Sequence, residues 1–340
     1  MNKVTTLAAG AAVAALFAAN ATTAGTLDDV KAAGHVKCGI STGVPGFAFT
    51  DDSGAWQGFD PAVCKAVAAA IFGDTSKVKY TTTTPKTRFT VLASGEVDML
   101  ARNTTWTFSR DTDLKLDFVG VNYYDGQGFL IPADLGVESA KDLDGASVCI
   151  QTGTTTELNL ADFFRTNGIS YEAVPIETND EARTNYVAGR CDVYTTDASG
   201  LAATRSSLED PAAHVLMPEI ISKEPLGPLV RHGDSEWGDI VRWTLNAMIT
   251  AEELGITSEN VDSMATGTDN PEINRLLGSE GDLGAMIGLD KAWAWRAIKM
   301  VGNYGEVFEE FIGADTPIGL ERGLNAQWTE GGILYSPPFR

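Results

Sequence analysis

Apolar residues recur with period two in several short runs and with a period near 3.6 in longer ones, and the two kinds of run take turns along most of the chain. Residues 35–40 read as a strand running into Ser41-Thr42-Gly43-Val44-Pro45-Gly46-Phe47, a glycine-rich loop. Gly58-Phe59-Asp60-Pro61 then opens a helix, with Asp60 as N-cap and Pro61 at the first helical position. Val63, Val67, Ala70 and Ile71 supply its apolar stripe, and Gly73 ends it. Residues 78–80 predict a second strand. Thr84-Pro85 caps a further helix whose Phe89, Leu92 and Ala93 face inward. After Gly95, Val97, Met99 and Ala101 alternate with Asp98 and Leu100 as a third strand. Strands alternating with helices in this way predict an α/β fold with parallel sheets.

The third strand turns abruptly polar, and polar strand ends are where open α/β sheets hold ligands. Arg102, Asn103, Thr105 and Arg110 offer two guanidinium forks, an amide and a hydroxyl within nine residues, a set suited to carboxylates rather than to metals. Residues 178–197 repeat the arrangement. A helix ends near Ala188, Gly189 closes it, and residues 192–197 form a strand that also ends polar. Setting Asp98 against Asp192 places Asn103 opposite Asp197. Two copies of one βα design predict two similar lobes facing each other across a cleft. The first brings positive charge and the second a carboxylate, which is the polarity of a zwitterion, so a small amino acid is the expected ligand. The competing role for Asp197 is to cap the helix through Ala202 and Ala203.

Between the copies, residues 147–150 read as a strand and Gln151-Thr152-Gly153-Thr154-Thr155-Thr156-Glu157 follows. Thr154 with Glu157 fits a capping box, which would aim the N–H groups of residues 154–156 at the cleft, where a helix start attracts anions. Phe129-Leu130-Ile131-Pro132 is taken as the first crossing between lobes, and Glu224-Pro225-Leu226-Gly227-Pro228-Leu229 as the return. The expected division is residues 25–130 with 229–340 for the first lobe and 131–228 for the second, joined by a hinge. The last hundred or so residues are mostly helical. Trp237, Ile240, Val241, Trp243 and Leu245 form one apolar face and Trp293, Ile298, Met300 and Val301 another, expected to pack on the first lobe.

Composition narrows the picture. The 340 residues, 44% of them hydrophobic, are enough for two domains with real cores. Residues 1–24 have the form of a cleaved secretory signal, with Lys3 in the charged start and an apolar run from 7 to 19 too short to span a bilayer. No cysteine directly follows the cleavage site, the first being Cys38, so a lipid anchor is not expected. Four cysteines allow three full pairings; Cys38 and Cys64 fall in the first lobe and Cys149 and Cys191 in the second, so one bridge per lobe is expected. With three histidines and no close cysteine pair, a metal site is not expected. Gly39-Ile40-Ser41-Thr42-Gly43 matches a nucleophile elbow by letters only, because Pro45 and Gly46 replace the helix that should follow. The net charge of −21 argues against nucleic acid and anionic membranes as partners, and it makes Arg102 and Arg110 more informative than in a basic protein.

On these residues the chain resembles the periplasmic solute-binding proteins of ABC importers for polar amino acids over about residues 27–250. Its full length, through Asn103-Thr104-Thr105-Trp106-Thr107, residues 123–128 and the aromatic C-terminal part, is similar to the general L-amino-acid and glutamate/glutamine/aspartate/asparagine branch. The resemblance implies a two-lobed type II binding-protein fold with two hinge crossovers, no cofactor and no enzymatic activity. It also implies an inner-membrane ABC permease as partner, a monomer and a periplasmic location. The family's carboxylate-clamping arginine matches Arg110, its hydroxyl residue Thr105 and its backbone acceptor for the ammonium Asn103. Its anion-binding helix start matches Gly153-Thr154-Thr155, and its ammonium-binding carboxylate matches Asp197. Three positions depart from the pattern. Arg102 replaces a small residue close to the ligand side chain, Gln151 stands where the glutamine binder has lysine, and Phe47 has no clean match to the family's aromatic lid. Arg102 would favour a side-chain carboxylate or amide, giving glutamate, aspartate, glutamine and asparagine as expected ligands. The alternative on this scaffold is a periplasmic dehydratase of the cyclohexadienyl or arogenate type, which would need a general acid such as Glu157 or Asp197.

Overall fold

The computed structural model describes residues 25–340, so the expected leader lies outside the described residues. Two five-stranded sheets organise the chain. The first runs in the order Val78–Thr83, Val36–Ser41, Met99–Leu100, Leu229–Arg231, Leu116–Phe118. Its first three strands are parallel, and the returning Leu229–Arg231 is antiparallel to both neighbours. The second runs Tyr171–Ile176, Ala146–Gln151, Val193–Asp197, Gln127–Pro132, His214–Leu216, with the same change from parallel to antiparallel after the third strand.

The sequence repeat is therefore a repeat of structure, down to one hydrogen bond. Asp98 accepts from the backbone N–H of Lys37 at 2.9 Å, and Asp192 accepts from that of Ser147 at 2.9 Å, each fastening its strand to the parallel neighbour. Residues 97–101 are all buried rather than alternating, because this short strand lies in the middle of a sheet covered on both faces.

The lobes are joined by a two-stranded ribbon, Tyr123–Asp125 paired with Glu224–Leu226. Gln127–Pro132, which straddles the division expected at residue 130, belongs wholly to the second sheet, and Phe129, Leu130 and Ile131 are core residues of that lobe. The first crossing thus falls at residues 123–126, earlier than expected, since an apolar run between polar turns reads equally as connector or buried strand.

Two helix starts also differ from expectation. The helix Phe59–Phe72 is capped by Gly58, at φ +120°, and not by Asp60. The carbonyls of Gly46 and Phe47 accept from the N–H groups of Phe59 and Asp60, so no side-chain cap is required. A Cβ at residue 58 would sit 2.6 Å from the Phe47 carbonyl, which leaves room for glycine alone. The next helix, Arg88–Ala93, begins after Thr87; Arg88 and Leu92 face inward, while Ala93 is exposed.

The C-terminal part packs on the first lobe, where Trp237, Trp293 and Phe339 share a core with Val36, Ile40 and Val67; Met300, by contrast, is exposed. This part also grips the hinge. The Asn325 side chain accepts from the Tyr124 N–H at 2.7 Å and donates to the Tyr124 carbonyl at 3.1 Å, and the Tyr304 hydroxyl donates to the Asn122 carbonyl. One disulfide lies in each lobe, Cys38–Cys64 and Cys149–Cys191.

Candidate functional site

The strand Met99–Leu100 hands over to Arg102, Asn103, Thr104 and Thr105 at the lobe's edge. Thr107 then caps the helix Phe108–Thr112 by accepting from the Arg110 N–H. Inside that first turn the Arg110 guanidinium is buried, its Nη1 donating to the Thr105 carbonyl at 2.9 Å. Arg88, also buried, donates from Nη1 to the Asn103 carbonyl and the Thr104 hydroxyl, both at 3.2 Å. Burial lowers the Arg102 guanidinium to about 10 while the nearby Asp60 opposes the shift, so Arg102 stays cationic at neutral pH. Burial in turn pushes the Asp60 carboxyl up to about 7, against the pull of Arg102 and of the Asn103 N–H. Arg88 is held well below the ordinary arginine range by burial first and then by the charges of Arg102 and Arg110. Three guanidiniums desolvated together call for anions facing them.

The second lobe and the hinge supply those anions. Val193–Asp197 is buried along its length, and Asp197 heads the helix Ala198–Ser206 without making a side-chain cap bond, so its carboxylate is not spent on capping. Burial raises Asp197 well above the usual carboxylate range, the charges of Asp125 and Glu224 raise it further, and Arg88 and Arg110 draw it back. Asp125 is pushed up to about 6 by burial, with the Ser199 hydroxyl opposing. A cluster of buried carboxylates under this strain would be relieved by a bound ammonium.

Thr154 caps the helix Thr155–Asn167 as expected, but Glu157 reaches back to the Gly153 N–H at 2.9 Å rather than to that of Thr154. Where the walls meet, Glu224 accepts from Thr105 of the first lobe at 2.5 Å and from Thr155 and Asn159 of the second at 2.8 and 2.7 Å.

A narrow gap lies between the walls. Arg102, Asn103 and Thr105 line it from the first lobe, and Gln151, Thr154, Thr155 and Asp197 from the second. Arg110 sits behind Thr105, close enough to Asp197 and Glu224 that both favour its charged form. Phe47 is not brought to the site. Its ring packs edge-on against Phe59 and Tyr123 at 6.0 and 5.7 Å in the first lobe's core, because the Val44–Ala48 bridge folds its loop back on itself.

Residues 36–260 match the family model of bacterial extracellular solute-binding proteins, family 3. The chain belongs to that family. This family 3 protein is 62% identical to the glutamate/glutamine/aspartate/asparagine-binding protein BztA of Rhodobacter capsulatus, over 97% of its own length and 98% of the relative's. It is 57% identical to the general L-amino acid-binding periplasmic protein AapJ of Rhizobium johnstonii, over 100% and 99%. Among solved structures, an ABC transporter periplasmic binding protein from Brucella ovis with glutathione bound superposes with a TM-score of 0.91 at 56% identity, covering 94% of this chain and 100% of that one. The two lobes and their hinge ribbon are the type II binding-protein architecture, and the relatives are amino-acid-binding proteins of transporters.

Sequence reasoning missed four charged residues of this family 3 site. Arg88 was hidden in a helix taken to start at Thr84, although its spacing of four from Leu92 places both on one face. Asp60 was assigned to a cap. Asp125 and Glu224 sit in the ribbon, in stretches read as connectors, where nothing in local sequence separates them from the other acids of a chain with 46.

Proposed function

We propose that this protein captures polar and acidic L-amino acids, glutamate, glutamine, aspartate and asparagine foremost, between its two lobes and presents the closed form to an inner-membrane ABC permease from the periplasm as a monomer. The observation that carries this reading is the opposition of Arg88 and Arg102 on one wall of the gap to Asp197 on the other, with the charges of Arg110, Asp125 and Glu224 close behind them. Arg110 and the N–H groups at Thr154–Thr155 take the α-carboxylate, joined by the Thr105 hydroxyl when it turns from Glu224 to the ligand. Asp197 and the remaining lone pair of the Asn103 carbonyl take the ammonium. Charged hydrogen bonds of this kind contribute roughly 1.5–3 kcal/mol each. Because the contacts come from both lobes, ligand favours the closed form. Arg102 and Gln151 are left to read the ligand's side chain.

The names of the Rhodobacter and Rhizobium relatives support the ligand class. So does the glutathione of the Brucella structure, whose glutamyl end carries a free α-carboxylate and α-ammonium. The dehydratase alternative is not favoured, since Glu157 is tied to the Gly153 N–H and the Rhodobacter and Rhizobium relatives are named as binding proteins. Calorimetry with the twenty amino acids, alongside a turnover assay with prephenate and arogenate, tests the proposal. Saturable binding of the four polar ligands without turnover is expected; binding of aliphatic amino acids alone, or product formation, would overturn it.

A further inference from the structure

The helix Ala198–Ser206 begins where Asp197 ends its strand, and Asp197 has what a cap needs: a short carboxylate and, at φ −53° and ψ 135°, a non-helical backbone. It nevertheless makes no cap bond. The N–H groups of the first helical turn have no partners within the helix and must find acceptors elsewhere. They find them on the hinge ribbon. The Ala198 N–H donates to the Gly126 carbonyl at 2.8 Å, and the Ser199 N–H is shared between the two carboxylate oxygens of Asp125, 3.4 Å from each. The Ser199 hydroxyl donates to the same carboxylate at 2.5 Å, and the Gly126 N–H holds its other oxygen at 2.8 Å. Ser199 is buried, so water is a poor substitute for these partners.

We propose that Asp125 is a positioning residue of the ligand site, capping the helix from the hinge so that the Asp197 carboxylate stays free for the ligand's ammonium; this rests on the reading of the site given above. Two carboxylates divide two tasks. Ser199 stands at the second helical position, whose N–H an ordinary N-cap side chain serves, so it becomes the partner of Asp197 once Asp125 is taken away. An Asp197 carboxylate bonded there no longer faces the gap beside Arg102 and Thr105. Loss of Asp125 therefore leaves the helix capped and the ligand without its counter-ion.

The test is a calorimetric titration with L-glutamine, and thermal melting without ligand, of the wild-type chain, Asp125→Ala, Asp125→Asn, Asp197→Ala and the double variant Asp125→Ala/Asp197→Ala. Asp125→Ala is expected to weaken glutamine about tenfold or more, the loss of one charged hydrogen bond. Its melting temperature should stay within about two degrees of wild type, because Asp197 takes over the cap. Asparagine caps helices as well as aspartate does, so Asp125→Asn should hold glutamine within about threefold of wild type. Each single alanine variant keeps one capping side chain and the double variant keeps none. The double variant should therefore melt lower than the sum of the single changes requires, with rapid hydrogen exchange at the Ser199 amide in it alone. Full affinity in Asp125→Ala, equal losses in Asp125→Ala and Asp125→Asn, or melting shifts that simply add would each overturn the inference and leave the amino-acid reading standing. A wild-type chain that binds none of the four polar amino acids would overturn that reading and this inference with it.

Discussion

Arg102 has a buried carboxylate behind it, and the pair sets two expectations. Arg102→Ala should cost glutamate and aspartate about ten- to a hundredfold in affinity, the range of one charged hydrogen bond, and cost glutamine and asparagine much less; equal losses by calorimetry would remove Arg102 from side-chain recognition. Asp60 governs a pH dependence. Folding raises its carboxyl from the ordinary range to about 7, so the stability tied to its neutral form is complete in acid and is lost as pH climbs through 7. Between pH 5 and pH 8 that loss is on the order of 3 kcal/mol. Asp60→Asn stays neutral throughout, so its melting temperature relative to wild type should rise by several degrees between pH 5 and pH 8, and parallel melting curves would refute the assignment. The guanidiniums at 102 and 110 were legible because arginine at a polar strand end is conspicuous in an acidic chain. Asp60 was not, since a carboxylate at a helix start is ordinarily a cap and only the approach of the Gly46–Phe47 backbone makes another use for it.

The hinge ribbon is two short strands, and what holds it comes from two hundred residues further along the chain. Asn325 meets both backbone groups of Tyr124, so Asn325→Ala leaves a half-buried N–H and carbonyl without those partners, a cost of roughly 1–3 kcal/mol. Faster hydrogen exchange at the Tyr124 amide, with a melting temperature lowered by a few degrees, is the expected result; unchanged protection there would show that the clasp does not stiffen the ribbon. Most elements of this kind are readable from periodicity, as the helix Phe59–Phe72 and the strand Val193–Asp197 show. The ribbon is not. Tyr123–Asp125 and Glu224–Leu226 are three residues each, too short for any period, and their pairing is a contact between distant segments. For the same reason the crossing was placed late, at the apolar run that proved to be the strand Gln127–Pro132.

On the scale of the molecule, each disulfide closes within a single lobe, so cleft opening strains no covalent bond and the halves can rotate as units about the ribbon. The two-lobed plan was visible in the repeat around Asp98 and Asp192, which the matched Lys37 and Ser147 hydrogen bonds reproduce in three dimensions. The lobes differ in how the chain completes them. Every strand of the second sheet comes from one continuous stretch, residues 127–216, whereas the first sheet has Leu229–Arg231 threaded between Met99–Leu100 and Leu116–Phe118. That insertion dictates an order of assembly. As the chain folds the N-terminal third must wait, its sheet missing an inner strand until residues 229–231 arrive, while the middle third already holds everything it needs; long-range closure of this kind is slow. A fragment spanning 126–222 should therefore unfold cooperatively by itself in urea, with Cys149 and Cys191 joined, and a fragment spanning 25–125 should show no such transition. The third of the chain that comes first is the third that ripens last.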